Sequence, residues 1–216
     1  MSQTTGGPED TPAPTTLAGA RSRGFYITPT LASSDSEPLR CVNDEAIWVL
    51  TSARPGNGIP QLLSDSLDEY WQSDGTSPHI VSIQFRRRTQ LAELAFYVDA
   101  DADESYTPRT VSIRSGSLHH DLEELRKFDL PSPRGWVRVP LGDPEGRGVG
   151  RYLRTWYLQL AVLQMQSNGR DMHIRCIKAM GPRGPAPAMA AAAASQLQAG
   201  SGGAEEWEEL APRQYR

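Results

Sequence analysis

Apolar and polar residues alternate with a period of two in several separate stretches of the chain. From His79 onward, Val81, Ile83 and Phe85 alternate with Ser82 and Gln84, the pattern of a strand with one buried face. Gly135 to Leu141 repeats it with Val137, Val139 and Leu141. In Arg154 to Met165, Trp156, Leu158, Leu160 and Val162 share one face, while Tyr157, Ala161 and Leu163 share the other. That strand should be buried on both sides. Leu91–Val98, Thr110–Arg114 and Ile174–Met180 are shorter runs of the same kind, and Asp44–Leu50 reads as a strand or extended edge carrying Trp48. The triplet Arg86-Arg87-Arg88 is too polar to continue into a core and should end the strand that begins at His79.

Helix is scarce. Gln61 to Leu67 resembles a short helical turn, and Leu122 to Leu130 is ambiguous between a charge-paired helix and a strand. Ser52 to Pro60 holds Pro55, Gly56, Gly58 and Pro60, which is turn chemistry. Asn168-Gly169 between two apolar segments is a strong hairpin signal. Many short strands separated by turns predict an all-β, jelly-roll β-sandwich, whose end loops can form a binding surface. The pattern fades over residues 1–38, which are rich in Thr, Pro, Gly, Ser and Ala and are expected to be disordered. Within them, Phe25-Tyr26-Ile27 could form a short strand leaning on the domain. Residues 39–182 should carry the fold, and 183–216 a flexible linker with an alanine-rich run and a tail ending in Tyr215-Arg216.

Composition removes several function classes. Hydrophobic residues make up 38% of the chain and the mean hydropathy is -0.50, a deficit that belongs in the polar tails. A formal net charge of -4 gives no general attraction to nucleic acid or anionic membranes. The arginine triplet lacks interleaved aromatics, so it reads as a solvated loop or a protein contact. No run approaches the ~20 apolar residues of a membrane span, and the N-terminus lacks the apolar core of a signal peptide. Cys41 and Cys176 are too few for a zinc site or a disulfide scaffold, so reduced thiols are expected. Neither a GxSxG elbow nor an HExxH pair is present, and the chain is not expected to be an enzyme. The acidic run from Asp99 fails as an EF-hand loop, because its sixth and twelfth positions hold Glu104 and Thr110. No cofactor or metal is expected.

Some residues nevertheless exceed what a scaffold needs. Tyr70-Trp71 reads first as a pair of core aromatics. DESYTP, Asp103 to Pro108, is at its plainest a turn between strands, although Ser105 could line a groove at the loop end. A turn at Asn168-Gly169 requires nothing further, yet Arg170, Asp171 and His173 add a cation, an anion and a titratable donor/acceptor. Polar residues on a loop held by a rigid scaffold are disproportionately functional.

Three runs together, YWQSDGTSPHIVSIQFRRR (Tyr70–Arg88), DESYTP and NGRDMHIR (Asn168–Arg175), resemble the DOC domain family, the fold of subunit 10 of the anaphase-promoting complex. They stand in the family's order over roughly Val42 to Pro182. The resemblance implies a galactose-binding-domain-like sandwich that recognises substrates for a cell-cycle ubiquitin ligase without catalysing a reaction. It implies extended structure over Leu122–Leu130. It places Ser105, Asn168, Arg170, Asp171 and His173 on a surface for destruction-box degrons, shared with a WD40 coactivator. Members typically end in Ile-Arg, which docks into a TPR subunit; here Tyr215 replaces Ile while Arg216 and the carboxylate remain. Cullin-like and other subunits of the complex would be further partners, in the nucleus and cytoplasm. Two other readings stay open: a carbohydrate-binding or other ligand-binding sandwich, or a DOC-like domain of a different ubiquitin ligase.

Overall fold

A computed structural model describes residues 24–31, 39–142 and 151–183. Its strands are β1 (Tyr26–Thr28), β2 (Leu39–Cys41), β3 (Ala46–Leu50), β4 (Trp71–Ser73), β5 (His79–Leu91) and β6 (Glu93–Asp99). The remainder are β7 (Pro108–Gly116), β8 (Glu123–Asp129), β9 (Arg134–Pro140), β10 (Leu153–Met165), β11 (Met172–Ile174) and β12 (Cys176–Pro182). Two short helices, α1 (Ile59–Leu63) and α2 (Ala100–Asp103), interrupt them. The strands form two five-stranded antiparallel sheets, ordered β1-β9-β6-β12-β2 and β3-β5-β10-β7-β8, with β11 and β4 as a separate ribbon. This is the expected jelly-roll sandwich.

The core forms where the alternation predicts it. Val81, Ile83 and Phe85 of β5 and Leu158, Leu160 and Val162 of β10 are buried with Leu94, Phe96 and Val98 of β6 and Val137 and Val139 of β9. Leu122–Leu130 resolves as extended β8, since its cross-strand partner β7 supplies hydrogen bonds that an isolated helix would lack. Asp44 and Glu45 lie in a turn of 3-10 helix just before β3 rather than in a strand.

Three local expectations fail for identifiable reasons. The arginine triplet does not end β5, which runs on to a buried Thr89 and Leu91. Thr155 pairs with Thr89 and Tyr157 with Gln84, so Phe85, Arg86, Arg87 and Arg88 all face the single residue Trp156. A bulge of this size swings polar side chains into solvent without breaking the strand. It also leaves Trp156 42% exposed, although the alternation assigned it to a buried face. Asn168-Gly169 is no hairpin, because β10 belongs to a main sheet and β11 pairs with β4.

Within residues 1–38, the short strand expected around Phe25-Tyr26-Ile27 does form. Residues 26–28 form an edge strand on β9, and Phe25 is buried against Phe128 with ring centroids 4.5 Å apart. A buried ion pair adds to the hold. Arg138 donates to both carboxylate oxygens of Glu93, from Nε at 3.0 and 3.2 Å and from Nη2 at 2.5 Å. The Tyr26 hydroxyl donates to Glu93 Oε2 at 3.0 Å, and the Arg138 guanidinium sits over the Tyr26 ring. Burial, followed by the nearby Glu93 charge, pushes the Tyr26 hydroxyl up to about 12. The other residues of 1–38 outside 24–31, and all of 184–216, lie outside the described residues.

Truncating Glu93 would remove the carboxylate that the buried Arg138 guanidinium grips from two nitrogens. Glu93→Ala is expected to lose about 3–5 kcal/mol of unfolding free energy in urea, and Tyr26→Phe about 1 kcal/mol. Equal losses for the two variants would contradict the ion pair as the main tie.

Candidate functional site

The site lies at the end of the sandwich where β5 begins and β6 and β10 finish. Trp71, fully buried, holds the β4–β11 ribbon there, and its Nε1 donates to the Ser52 carbonyl at 2.9 Å. Along β11 and beyond, Met172, Ile174 and Cys176 are completely buried. The intervening side chains, Asp171, His173 and Arg175, turn toward polar partners at the domain's end.

His173 lies between two tyrosines. Its ring stacks on Tyr70 with centroids 4.3 Å apart and on Tyr106 at 4.4 Å, nearly parallel to the latter at 8°. Nδ1 lies 3.1 Å from Asp103 Oδ1. A carboxylate only accepts, so Nδ1 carries the proton and donates. Arg175 grips the same carboxylate with a fork, Nε to Oδ2 at 2.9 Å and Nη2 to Oδ1 at 2.7 Å, and its Nη1 donates to the Leu67 carbonyl. Burial by itself would raise the Asp103 carboxyl. The hydrogen bonds and charges of His173 and Arg175 outweigh it and hold the group below the usual carboxylate range. The hydrogen bond it donates to Asp103 in turn raises the Arg175 guanidinium. The far nitrogen of His173, Nε2, is buried without a hydrogen-bond partner among the described residues.

Asp103 reaches this position through the acidic run that fails as a calcium loop. Asp99 caps α2, its Oδ1 accepting from the Asp101 and Ala102 amides at 3.0 and 3.2 Å. Glu104, with a left-handed φ of 46°, then reverses the chain into the 3-10 turn Glu104–Tyr106. The reversal turns Asp103 inward and presents Tyr106. Among the described residues, no group of three His, Cys, Asp or Glu side chains is arranged to hold a metal ion.

The predicted site residues therefore divide into two kinds. Ser167 and Asn168 take left-handed φ values of 50° and 58°, and Gly169 packs so closely on the Ser105 backbone that a β-carbon there would collide with the Ser105 carbonyl. Ser105 and the Asn168–Asp171 loop do meet, through backbone. Asn168 and Arg170 are exposed, while Asp171 is half-buried and accepts from Gln72 Nε2 at 3.3 Å. His173 is buried inside the tyrosine pair. Tyr215 and Arg216 lie outside the described residues. Sequence reasoning missed Tyr70, Asp103, Tyr106 and Arg175 as site residues. The available signal was the alternation Asp171, His173, Arg175, which puts three polar side chains on one face of a strand whose other face is apolar.

At the opposite end of β5 and β10 a cleft of about 410 Å³ is lined by Arg88, Arg154 and Trp156 together with Asp121 and Glu123. Cations and anions line it together, so the arginines do not make a basic patch there.

Comparison with known proteins places this geometry in a family. Residues 29–201 match the family described as "Anaphase-promoting complex, subunit 10 (APC10)". Proteins named anaphase-promoting complex subunit 10 from Mus musculus and Homo sapiens are each 46% identical over 144 residues, spanning 67% of this chain and 76% of theirs. The Drosophila melanogaster protein of that name is 44% identical over 158 residues, covering 69% of this chain and 79% of its own. Among solved structures, the CBM32-1 and CBM32-2 domains of Clostridium perfringens ZmpB in complex with GalNAc superpose with a TM-score of 0.59 at 10% identity, over 74% of this chain and 39% of that one. The family 32 CBM of C. perfringens NanJ in complex with galactose gives 0.54 at 7% identity, over 66% and 99%. At such identities the likeness concerns the fold alone.

Two variants test the cluster. Asp103 stabilises the fold above the ordinary aspartate pKa of about 4, and that contribution disappears as pH falls through its depressed folded value. Asp103→Asn is expected to cost about 3 kcal/mol at neutral pH and to flatten the acid limb of the stability curve measured by urea unfolding. Curves that stay parallel would refute the assignment. Gly169→Ala should destabilise by about 1–3 kcal/mol through the clash with Ser105, read as a lowered Tm.

Proposed function

Because this chain belongs to the anaphase-promoting complex subunit 10 family, we propose that it serves that ubiquitin ligase as a co-receptor for destruction-box degrons. The observation that carries this reading is the loop end itself. Asn168 and Arg170 project into solvent from a backbone braced against Ser105. An extended peptide offers amides, carbonyls and charged side chains to such a surface. Degron contact here would be weak by itself, and a WD40 coactivator would supply the second contact. Two linked weak contacts raise effective concentration and slow release, so more ubiquitins are added per encounter without any chemistry in this domain. Attachment to a TPR subunit falls to the tail, through the Tyr215 and Arg216 side chains and the terminal carboxylate. The chain would work with the cullin-like and other subunits in nucleus and cytoplasm.

A sugar-binding role draws only on the fold likeness. Both tyrosine rings near the loops are engaged with His173, which leaves them poorly suited to serve as a free stacking platform for a sugar ring.

Because His173 and Asp171 have structural duties, the exposed residues give the cleaner test. Asn168→Gly, which tolerates the left-handed φ of 58°, combined with Arg170→Ala should leave Tm within about 1 °C of the parent, as surface changes do. In a ligase rebuilt with the variant, it should shorten the ubiquitin chains added per substrate encounter roughly two- to tenfold, the loss of about one charge-assisted contact. Undiminished processivity would exclude this loop as the degron surface. A chain lacking Tyr215 and Arg216 should recover fewer complex subunits in a native pull-down, and equal recovery would move attachment to the domain body.

A further inference from the structure

His79 is the first residue of β5, completely buried, and its two ring nitrogens reach different elements. Nδ1 lies 2.7 Å from Ser73 Oγ in β4, and Nε2 lies 3.0 Å from the Arg170 carbonyl in the exposed loop. A carbonyl can only accept, so Nε2 carries the proton. In the neutral ring Nδ1 must then accept, and Ser73 donates to it. With its proton so committed, Ser73 Oγ accepts from Ser52 Oγ at 2.6 Å, and Ser52 Oγ accepts from the Gly75 amide at 3.0 Å. The hydrogen bonds run in one sense from Gly75 through Ser52, Ser73 and His79 to Arg170.

The neutral form fits the surroundings. Burial pushes His79 below the ordinary histidine value, and this outweighs the opposing effects of the Arg170 carbonyl and the Asp171 charge. The loop needs such a hold, because Ser167 and Asn168 both sit in left-handed backbone, which is unfavourable for non-glycine residues. Its other ties include the Gln166 amide to the Thr107 carbonyl at 2.8 Å, the Gly169 amide to the Gln166 carbonyl at 2.9 Å, the close packing of Gly169 on Ser105, and the long bond from Gln72 to Asp171, none of which holds the Arg170 carbonyl.

We propose that His79 is the positioning residue of the Asn168–Asp171 loop, fixing through Nε2 and the Arg170 carbonyl the direction in which Asn168 and Arg170 leave the domain. The proposal rests on the reading of that loop as the degron surface, but it concerns a residue outside the surface. His79 touches no ligand and acts only through the loop backbone.

The two nitrogens can be separated by substitution. In His79→Gln the side-chain amide reaches the place of Nε2 and can donate to the Arg170 carbonyl. In His79→Asn the shorter amide reaches only the place of Nδ1, satisfying Ser73 and releasing Arg170. Each variant would be placed in the rebuilt ligase with coactivator and a destruction-box substrate, alongside Arg170→Ala, and amide exchange over residues 168–172 would be followed on the full chain. His79→Gln should keep near-parental processivity and exchange protection. His79→Asn should lose processivity to about the level of Arg170→Ala and exchange roughly tenfold faster, the equivalent of one hydrogen bond. Ser73→Ala controls for packing: it should lower Tm while leaving loop exchange unchanged. Equal behaviour of the Gln and Asn variants in exchange would overturn the proposal and leave His79 a core residue. If Arg170→Ala is silent while the exchange difference persists, positioning by His79 stands and the degron reading falls.

Discussion

One buried negative charge organises the functional end of this domain. Asp103 carries an ionised carboxylate where burial opposes it, and that state persists only because Arg175 and His173 converge on its two oxygens. A buried charge without partners is among the most unfavourable features a fold can contain. The turn after β6 is therefore tied to β11 and the residue that follows it, some seventy residues later in the chain. Arg175 can serve because a guanidinium meets a carboxylate with two parallel bonds, which sets direction as well as distance. With Nδ1 committed to Asp103, His173 has a defined tautomer and a defined orientation between its tyrosines. In the neutral ring Nε2 is then the accepting nitrogen.

The scaffold makes this convergence possible by being stiff where the loops are not. β5 and β10 run the length of the sandwich and pair over most of it, so a residue at one end is placed by packing distributed along both strands. The irregularity that pairing requires is confined to the far end, where four residues of β5 oppose Trp156. Near the site the pairing from Gln84 to His79 is regular, and His79 enters the strand in register with Val162. On its other edge β10 is irregular at the site end, where its pairing with β7 shifts register between Val162 and Met165, just before the loop.

The strands were readable because alternation is a local property: Val81, Ile83 and Phe85 declare a buried face without reference to anything else. The errors arose where the outcome depends on a partner. Polarity said that Arg86 to Arg88 should stop a strand, but β10 and β3 hold the backbone on either side of them and a bulge accommodates the charge. Asn168-Gly169 signals a hairpin only if the flanking strands pair with each other, and here they belong to different sheets. At Tyr26 the short strand itself was readable, but its ties to Glu93 and Arg138 lie outside any window around it. The site shows the same division. Motif resemblance singled out Ser105, Asn168, Arg170, Asp171 and His173, yet it could not say that Asp103 and Arg175, lying inside the same motifs, are the ones bonded to each other. Contact between residues distant in sequence is decided by topology, and charge type alone does not reveal it.

The loop from Asn168 to Asp171 is held from two sides by different physics. Downstream, the Asp103 cluster fixes side chains by charge. Upstream of β11, the His79 chain fixes backbone by neutral hydrogen bonds whose direction is set by a carbonyl at one end and an amide at the other. Neither hold uses the side chains of Asn168 or Arg170, which leaves both free for an outside partner. A loop already ordered loses little conformational freedom on binding, so even a small contact can yield useful free energy. This suits a surface that contributes one of two weak contacts to the same peptide, because the gain from linking them depends on geometry that each partner maintains before they meet.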